Sequence, residues 1–190
     1  MSRWEPNARG RLEQAAMELY GERGYEQTTV TEIAARAGLT ERTFFRHYAD
    51  KREVLFGGSL LLQELLVNTL TEAPAAASPI DAVAVALHAA AAVFDERREQ
   101  SRRRQKVISA NAELRERELI KLASLSAALA DSLRERGVAE PAASLAGEAG
   151  VAVFKVAFER WIAGADERTM GAFIQESLDE LKAVTTGGGV

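Results

Sequence analysis

The stretch from Glu41 to Tyr48 carries basic and hydroxyl side chains at spacings that suit hydrogen bonding to DNA. In a helix, Phe44 and Tyr48 share one face at i and i+4, so they can anchor the segment to the protein. The side chains left to point outward are those of Arg42, Thr43, Arg46 and His47. Arginine can bond a guanine edge through two donors, and a threonine methyl can contact a thymine methyl. This set predicts contact with double-stranded DNA.

The residues before this stretch predict the helix that must position it. Thr29 and Glu32 have the spacing of a capping box, and the apolar residues from Val30 to Ala37 then follow at helical intervals. Gly38 ends that helix, and Thr40 is a good N-cap for the next. Two helices joined by so short a glycine-containing turn are typical of a helix-turn-helix, whose second helix enters the major groove.

A cationic segment follows directly. Asp50 is expected to cap a longer fourth helix beginning at Lys51, with Val54, Leu55, Leu62, Leu65 and Leu66 on its buried side. The Lys51 ammonium and the N–H groups at that helix start would suit a DNA phosphate, because a helix N-terminus attracts anions.

The rest of the chain also has helical periodicity. An amphipathic helix is predicted around Leu12 to Tyr20, and others run from Ser78-Pro79 to about Asp95, through a break near Asn111 to Gly137, and from Pro141 to about Gly164. Asp166 is expected to cap the last helix. Because no run shows the sustained alternation of a strand, the predicted fold class is all-α.

Composition excludes several classes of protein. The 190 residues contain no cysteine and two histidines, which rules out disulfides and makes a zinc site improbable, so no metal or cofactor is predicted. A formal net charge of −4 argues against binding nucleic acid by bulk attraction. From the apolar runs and the first residues we expect neither a membrane span of roughly 20 residues nor a signal peptide, and we expect a cytoplasmic protein without a membrane partner.

Taken in order, these pieces resemble the TetR family of bacterial regulators. The resemblance is carried by Ala15–Tyr20, Gly24-Tyr25, Thr28–Val30, Ile33-Ala34, Ala37–Leu39, Thr43–Tyr48, Lys51 and Val54-Leu55. It implies about nine helices and a homodimer. The N-terminal three-helix helix-turn-helix domain would occupy residues 1–50, a C-terminal helical ligand-binding and dimerisation bundle residues 51–186, and a disordered tail residues 187–190.

By position, the resemblance makes Thr43, Phe45 and His47 recurrent contacts to backbone or base, Lys51 the phosphate lysine, and Thr31 an additional groove-facing residue. The family commonly has tyrosine where this chain has Phe45, so a phosphate bond from that hydroxyl is missing. Arg42 and Arg46 stand at variable positions and are expected to set much of the operator preference. The candidate DNA-binding residues are Thr29, Thr31, Thr40, Arg42, Thr43, Phe45, Arg46, His47 and Lys51.

The C-terminal part offers a candidate ligand site. Bundle interiors are where small-molecule pockets form, and the candidate residues are His88, Phe94, Phe154, Phe158 and Trp161. The alternative is that the aromatic residues are core and that His88 is a packed, hydrogen-bonded histidine. The arginine-rich run from Arg97 to Lys106 is interpreted as a solvated helix end, with phosphate binding for an acyl-CoA-like effector, or a place near the DNA-binding domain, as alternatives.

Small residues in the helix after Pro141 permit close helix approach. They are Ala142, Ala146, Gly147, Ala149 and Gly150. Together with the apolar face of the last helix they suggest a four-helix dimer seam formed by the last two helices of each copy. Packing within one chain is the alternative.

Together with the resemblance, these observations favour a ligand-responsive transcriptional regulator, and the resemblance implies that it is a repressor. It would bind a pseudo-palindromic operator as a homodimer and be released by a small, hydrophobic effector of unknown identity. An activator or a ligand-independent regulator of the same fold, and a helical protein-binding adaptor, are the alternatives. We predict no enzymatic activity, because His88 has no evident partner in sequence and neither a phosphate loop nor a metal-ligand cluster is present.

Overall fold

Helices form the regular structure of this chain. The structure is a computed structural model that describes residues 7–165 and 167–186. Over those residues there are nine α-helices, one 3₁₀ helix and no strand, which confirms the all-α class. The helices are α1 (Ala8–Arg23), α2 (Val30–Arg36), α3 (Glu41–His47), the 3₁₀ helix (Glu53–Phe56), α4 (Ser59–Glu72), α5 (Pro79–Asp95), α6 (Arg98–Ala110), α7 (Ala112–Glu135), α8 (Ala142–Ala163) and α9 (Met170–Thr186).

The first compact unit contains residues up to Ser59 together with Arg103–Glu118. Its core includes Leu12 and Leu19 from α1, Ile33 from α2 and Phe44 from α3, all of them buried. Ile108 of α6 and Leu114 of α7 belong to the same core cluster. A helix-turn-helix of this size has a small core, and these two residues enlarge it. Local sequence patterns did not predict their association with the N-terminal helices.

The second compact unit contains Leu60–Arg102 and the residues from Leu119 onward. Helices α5, α8 and α9 pack against one another along their lengths. Ser78 caps α5 by accepting a hydrogen bond from the Asp81 N–H, with Pro79 at the first helical position, as the sequence predicted. The core of the unit is a single cluster that includes Leu87, Leu129, Trp161 and Ile174.

The fourth helix begins later than predicted. The Asp50 carboxylate does accept the N–H groups of Arg52 and Glu53, at 2.8 and 3.2 Å, but only a turn and the 3₁₀ helix follow before α4 starts at Ser59. The prediction that the fourth helix begins at Lys51 is therefore wrong, because the α-helix starts about two turns later, at Ser59. The tighter 3₁₀ helix places Val54, Leu55 and Phe56 together in the core of the first unit.

One segment is long and apolar enough to cross a membrane by length and composition, contrary to the expectation from the sequence. Glu53–Glu72 has 20 residues and a mean hydropathy of 1.3, and 28% of its most apolar part is buried. The structure divides this segment between the 3₁₀ helix and α4, with Gly57 and Gly58 between them. The 14 residues of α4 extend about 21 Å, short of a hydrocarbon core of about 30 Å.

The buried small residues of α8 pack within the chain. A Cβ on Gly147 would lie 2.8 Å from the Ser126 carbonyl oxygen of α7, and Gly150 faces Val83 of α5. Ala143 and Ala146 are buried in the same core. For these buried residues the structure supports packing within one chain, which was the alternative. Ala146, Gly147 and Gly150 therefore no longer support a dimer seam.

Two arginines of the basic run bind the end of α8. Arg98 donates to the carbonyls of Trp161 and Gly164, and Arg102 donates to those of Ile162 and Gly164, at 2.5–2.9 Å. The last carbonyls of a helix lack intrahelical donors and carry partial negative charge, so a guanidinium stabilises them. The interpretation as a solvated helix end is therefore wrong for Arg98, whereas Arg102 makes its contacts while it stays exposed. Arg104 instead donates to the Leu55 carbonyl at 2.6 Å within the first unit.

The start of α9 is held by two side chains. The N–H of Met170 donates to the Asp95 carboxylate at 2.7 Å, and the N–H of Ala172 donates to the Thr169 hydroxyl at 3.3 Å. Asp166, predicted as the cap, and the predicted disordered tail at residues 187–190 lie outside the described residues.

Candidate nucleic-acid interface and effector site

The turn between α2 and α3 is closed by backbone hydrogen bonds. The N–H of Leu39 donates to the Ala34 carbonyl at 2.8 Å, and the N–H of Gly38 donates to the Ala35 carbonyl at 3.0 Å. This is the Schellman pattern, which needs a residue with positive φ, and Gly38 has φ 65°. The chain can therefore reverse within a few residues and begin α3 at Glu41.

Threonine hydroxyls fix the ends of both helices. Thr29 and Glu32 form the predicted capping box at the start of α2. Thr40 caps α3 by accepting the Thr43 N–H at 3.2 Å, and the two hydroxyls of this pair lie 3.0 Å apart. The hydroxyls of these three predicted DNA-binding residues, Thr29, Thr40 and Thr43, thus all have partners within the chain.

The fourth predicted threonine joins the two helices. The Thr31 hydroxyl of α2 donates to the Glu41 carboxylate of α3 at 2.5 Å, and both residues are exposed. Glu41 was not among the candidate site residues. The signal that could have found it is its position in the first turn of α3, where a carboxylate is favoured by the helix dipole.

The outward side of α3 is cationic and unpaired. Arg42, Arg46 and His47 are exposed and make no side-chain hydrogen bond or ion pair with another residue of the ranges 7–165 and 167–186. Phe45 lies beside them with 54% of its surface exposed, whereas Phe44 is completely buried. The structure thus brings these four predicted residues together on one short helix.

The buried side of α3 is anchored through Tyr48. Its hydroxyl donates to the Glu13 carboxylate at 2.6 Å and accepts from Arg9 Nε at 3.2 Å. Burial raises the pKa of Tyr48 above its ordinary value, and the hydrogen bond to Glu13 adds to the increase. The phenol therefore stays protonated at neutral pH, and its hydrogen bond to Glu13 ties α3 to α1.

Lys51 is bound to the loop after α1. Its ammonium donates to the carbonyls of Tyr25 and Thr28 at 3.0 and 3.1 Å and lies 4.3 Å from the centre of the Tyr25 ring. A longer contact reaches the Glu26 carbonyl at 3.4 Å. Its predicted role as the phosphate lysine stays a prediction, and the contacts in this structure hold the first unit together.

Four of the five predicted ligand-site residues form one aromatic cluster. The Phe94 ring centre lies 5.7 Å from that of Phe154, 5.8 Å from that of Phe158 and 6.4 Å from that of Trp161. Trp161 is buried, and the guanidinium of Arg98 lies 5.5 Å from its ring centre. The rings fill the space between α5 and α8 with apolar surface, so an apolar molecule would have to displace them.

His88 lies apart from this cluster. Its Nε2 is 3.2 Å from the Gln175 amide oxygen of α9, which matches the hydrogen-bonded alternative. At 100° per residue, His88 and Phe94 point in directions about 120° apart on α5. Within residues 7–165 and 167–186, no group of three His, Asp or Glu side chains could hold a metal ion.

A turn closed at Gly38 and a following helix α3 with an exposed cationic side define a helix-turn-helix, the element that DNA-binding proteins place in the major groove. Residues 13–56 match the sequence model described as bacterial regulatory proteins, tetR family, and residues 77–186 match the one described as MftR C-terminal domain. The chain belongs to the tetR family of bacterial regulatory proteins. It is a DNA-binding transcriptional regulator rather than an enzyme, as the sequence predicted.

Individual relatives agree with this assignment. Over 81 residues, or 43% of this chain, the sequence is 38% identical to the HTH-type transcriptional regulator TcmR of Streptomyces glaucescens, and the match covers 36% of TcmR. A tetR-family regulator from Syntrophomonas wolfei shares the fold with 18% identity, a TM-score of 0.65 and 97% of each chain covered. FadR of Thermus thermophilus, a repressor solved with lauroyl-CoA, has 24% identity and a TM-score of 0.57, with 96% of this chain and 95% of FadR covered.

Proposed function

We propose that this regulator is a repressor that binds a pseudo-palindromic operator as a homodimer and leaves it when a hydrophobic effector binds. DNA binding would belong to residues 1–50 and effector binding and dimerisation to residues 51–186, in the cytoplasm. The observation that carries the proposal is the outward side of α3, where Arg42, Arg46 and His47 are exposed without partners among the described residues. Unpaired cationic side chains on a recognition helix are able to bind phosphates and guanine edges in the major groove.

The dimer is supported by an exposed apolar stripe on α8. Leu145 and Val156 are 64% and 47% exposed, and Ala149 and Ala152 lie between them on the same helical face at i+4 and i+7 from Leu145. Pairing this stripe with its symmetry mate would form the seam through the last two helices. A twofold dimer would place two recognition helices about 34–36 Å apart, one turn of DNA.

The effector is proposed to enter at the aromatic cluster of Phe94, Phe154, Phe158 and Trp161. Phe94 and Phe158 are partly exposed and so can move to admit an apolar chain. Lauroyl-CoA, bound by the FadR neighbour, has such a chain. Release from DNA would follow if the liganded dimer favours a spacing of recognition helices that does not match successive major grooves.

The proposed DNA binding is tested by footprinting the protein on its own promoter region at two salt concentrations. We expect protection with twofold symmetry, abolished by Arg46→Ala. Arg97→Ala is the matched control, because Arg97 is an exposed arginine outside the helix-turn-helix. Binding no tighter than to random DNA, or equal losses for both variants, would show that α3 does not read an operator. A reporter gene that stays silent until the regulator is deleted would identify a repressor, whereas loss of expression would identify an activator.

The proposed effector binding is tested by titrating laurate and lauroyl-CoA into the protein bound to labelled operator. Release by both compounds would show that the apolar chain is what the protein recognises, and Phe158→Ala should raise the concentration needed. Release by lauroyl-CoA alone would place recognition in the phosphate-bearing half of the molecule. If neither compound releases the operator, the proposal of an acyl-chain effector is wrong, while the DNA-binding half still stands on its own test.

A further inference from the structure

One helix carries residues of both compact units. Within α6, the residues up to Arg102 belong to the second unit and those from Arg103 onward belong to the first. The helix runs without a break from Arg98 to Ala110, so its 13 residues form one element of about 20 Å with a continuous hydrogen-bond ladder. A displacement of the first turn of such a helix is passed to the turns that follow.

The first turns of α6 are attached to the helix that carries most of the aromatic cluster. Arg98 Nε donates to the Trp161 carbonyl of α8 at 2.9 Å, and the Arg98 guanidinium lies 5.5 Å from the centre of the Trp161 ring. Arg102 donates to the Ile162 carbonyl of α8 at 2.7 Å. An effector that displaces the rings of the cluster would therefore also disturb the carbonyls that hold α6.

The next turn of α6 is attached to the 3₁₀ helix of the first unit. Arg104 Nε donates to the Leu55 carbonyl at 2.6 Å, and its guanidinium lies 5.0 Å from the centre of the Phe56 ring. A carboxylate oxygen of Glu118 lies 3.6 Å from Arg104 Nη1. Leu55 and Phe56 belong to the core cluster that also contains Phe44 of α3. Arg104 thus joins α6 to the core on which the recognition helix is built.

The contacts of Arg98 and Arg104 are separate. The two residues are six positions apart, which places them about 9 Å apart along the helix axis and about 120° apart around it. Each guanidinium therefore has its own acceptors, and α6 is held at two points by bonds to backbone carbonyls.

Helix α7 also reaches the 3₁₀ helix, but through a weaker mechanical link. Arg117 Nε donates to the Glu53 carboxylate at 2.5 Å. This contact joins two flexible side chains, which can follow a displacement by rotating about their bonds. Arg104 instead binds the backbone of the 3₁₀ helix, so its contact moves with that backbone.

We propose that Arg104 is the positioning residue through which a change in the aromatic cluster is passed along α6 to the recognition helix. This inference rests on the proposed function and names the contact that carries its regulation. Coupling between two sites is reciprocal, so operator binding must in turn alter the aromatic cluster.

The experiment uses Trp161 as a reporter and needs no effector. Trp4→Phe leaves Trp161 as the single tryptophan of the chain. Acrylamide quenching of its fluorescence is measured for the free protein, with operator duplex and with random duplex. We expect the operator, but not random DNA, to change the quenching constant of Trp161.

Variants in the Trp4→Phe background locate the route. Arg104→Met keeps a long side chain and removes the donors, so the change caused by the operator should be lost. Operator affinity should stay within about fivefold of the background protein, the lower end of allosteric couplings, because the side chains of α3 are untouched. Arg117→Gln should keep the change, as should Arg97→Ala, which removes an exposed arginine just before α6. If Arg104→Met does not fold, Arg104→Lys, which keeps the charge but not the planar fork, should show a reduced change.

Two results would refute the role of Arg104 and leave the proposed function standing. One is an operator complex in which the quenching of Trp161 is the same as in the free protein. The other is a change of full size in the Arg104 variant that folds, and its loss in Arg117→Gln would then assign the route to α7. If the protein binds no operator, the proposed function itself fails.

Discussion

The Thr31 hydroxyl donates a hydrogen bond to the Glu41 carboxylate at 2.5 Å, and this contact joins the two helices of the helix-turn-helix at their exposed surface. The backbone hydrogen bonds around Gly38 close the turn at one point, whereas this pair links the side chains of α2 and α3. Together they restrain the angle between α2 and α3. The pair also explains why an acidic residue is found in a helix whose other exposed ionisable side chains are basic.

A double-mutant cycle on this pair should reveal their coupling. Thr31→Val removes the donor and keeps the side-chain shape, and Glu41→Leu removes the acceptor. Each single variant should lose about 0.5–1.5 kcal/mol of unfolding free energy, and the double variant should lose less than the sum, because the second change removes a bond already broken. Urea denaturation of all four proteins measures this. Strict additivity would show that the hydroxyl and the carboxylate do not interact in solution.

Substitution of Gly147 should damage the packing of α8 on α7. A methyl group there would meet the Ser126 carbonyl oxygen, a backbone atom that cannot turn aside, so Gly147→Ala should cost about 1–3 kcal/mol. Gly21→Ala is the matched control, because Gly21 lies within α1 with nothing within 4 Å of an added Cβ. It should gain about 0.5–1 kcal/mol from helix propensity. Thermal unfolding at one fixed protein concentration compares them, and equal stability of the two variants would contradict this account of Gly147.

Helix positions were predictable where local patterns decide them. Ser78-Pro79 gave the start of α5, and its periodicity carried the helix to Asp95 as predicted. The start of α4 was not predictable in the same way. A cap at Asp50 followed by apolar residues suits either a long helix or a 3₁₀ turn, and the choice depends on packing of Val54, Leu55 and Phe56 against distant residues.

The residues of the candidate site were likewise predictable only where a local pattern decides their position. The outward residues Arg42 and Arg46 followed from spacing alone, because i and i+4 residues share a helix face. The role of Arg98 at the end of α8 could not be seen, since its acceptor at Trp161 is 63 residues away in sequence. Small residues such as Gly147 suit a close contact within or between chains, and only the coordinates of α7 distinguish the two.

Arg136 should be far more important for stability than its neighbour Arg134. Its guanidinium donates to four carbonyls at the end of α4 and the following loop, at 2.8–3.1 Å: those of Leu70, Thr71, Ala73 and Pro74. Removing a charged donor from carbonyls that have lost their helical partners should cost about 1.5–3 kcal/mol in Arg136→Ala.

Arg134→Ala is the matched control for this prediction, because it removes an arginine that is 42% exposed and whose partners, the carboxylates of Asp131 and Glu140 and the Ser144 hydroxyl, all lie at the surface. Exposed pairs of this kind contribute about 0–1 kcal/mol. Denaturant midpoints of the two variants should differ clearly. Equal midpoints would mean that water replaces the Arg136 contacts without loss.

Acid should weaken the junction between α3 and the 3₁₀ helix through Asp50. The Arg52 guanidinium, at 2.5 Å, holds the pKa of this carboxyl below its ordinary value of 3.8, and the N–H groups of Glu53 and Arg52 add to the effect. A lowered folded-state pKa means that the stabilisation is fully present above about pH 3.8 and is lost as the pH falls through the folded-state value. Asp50→Asn keeps an oxygen for the backbone N–H groups but loses the charge. Its unfolding free energy should therefore lie below that of the wild type at pH 7, and the difference should shrink at pH 3.

Arg52→Gln tests the same pair from the cationic side. It removes the guanidinium that stabilises the ionised Asp50, so its stability deficit at pH 7 should shrink in acid in the same way. Urea denaturation at both pH values, with protein concentration and ionic strength held constant, measures the two gaps. If both gaps are as large at pH 3 as at pH 7, the ionised carboxylate contributes nothing to the junction, and the backbone hydrogen bonds to Asp50 alone maintain it.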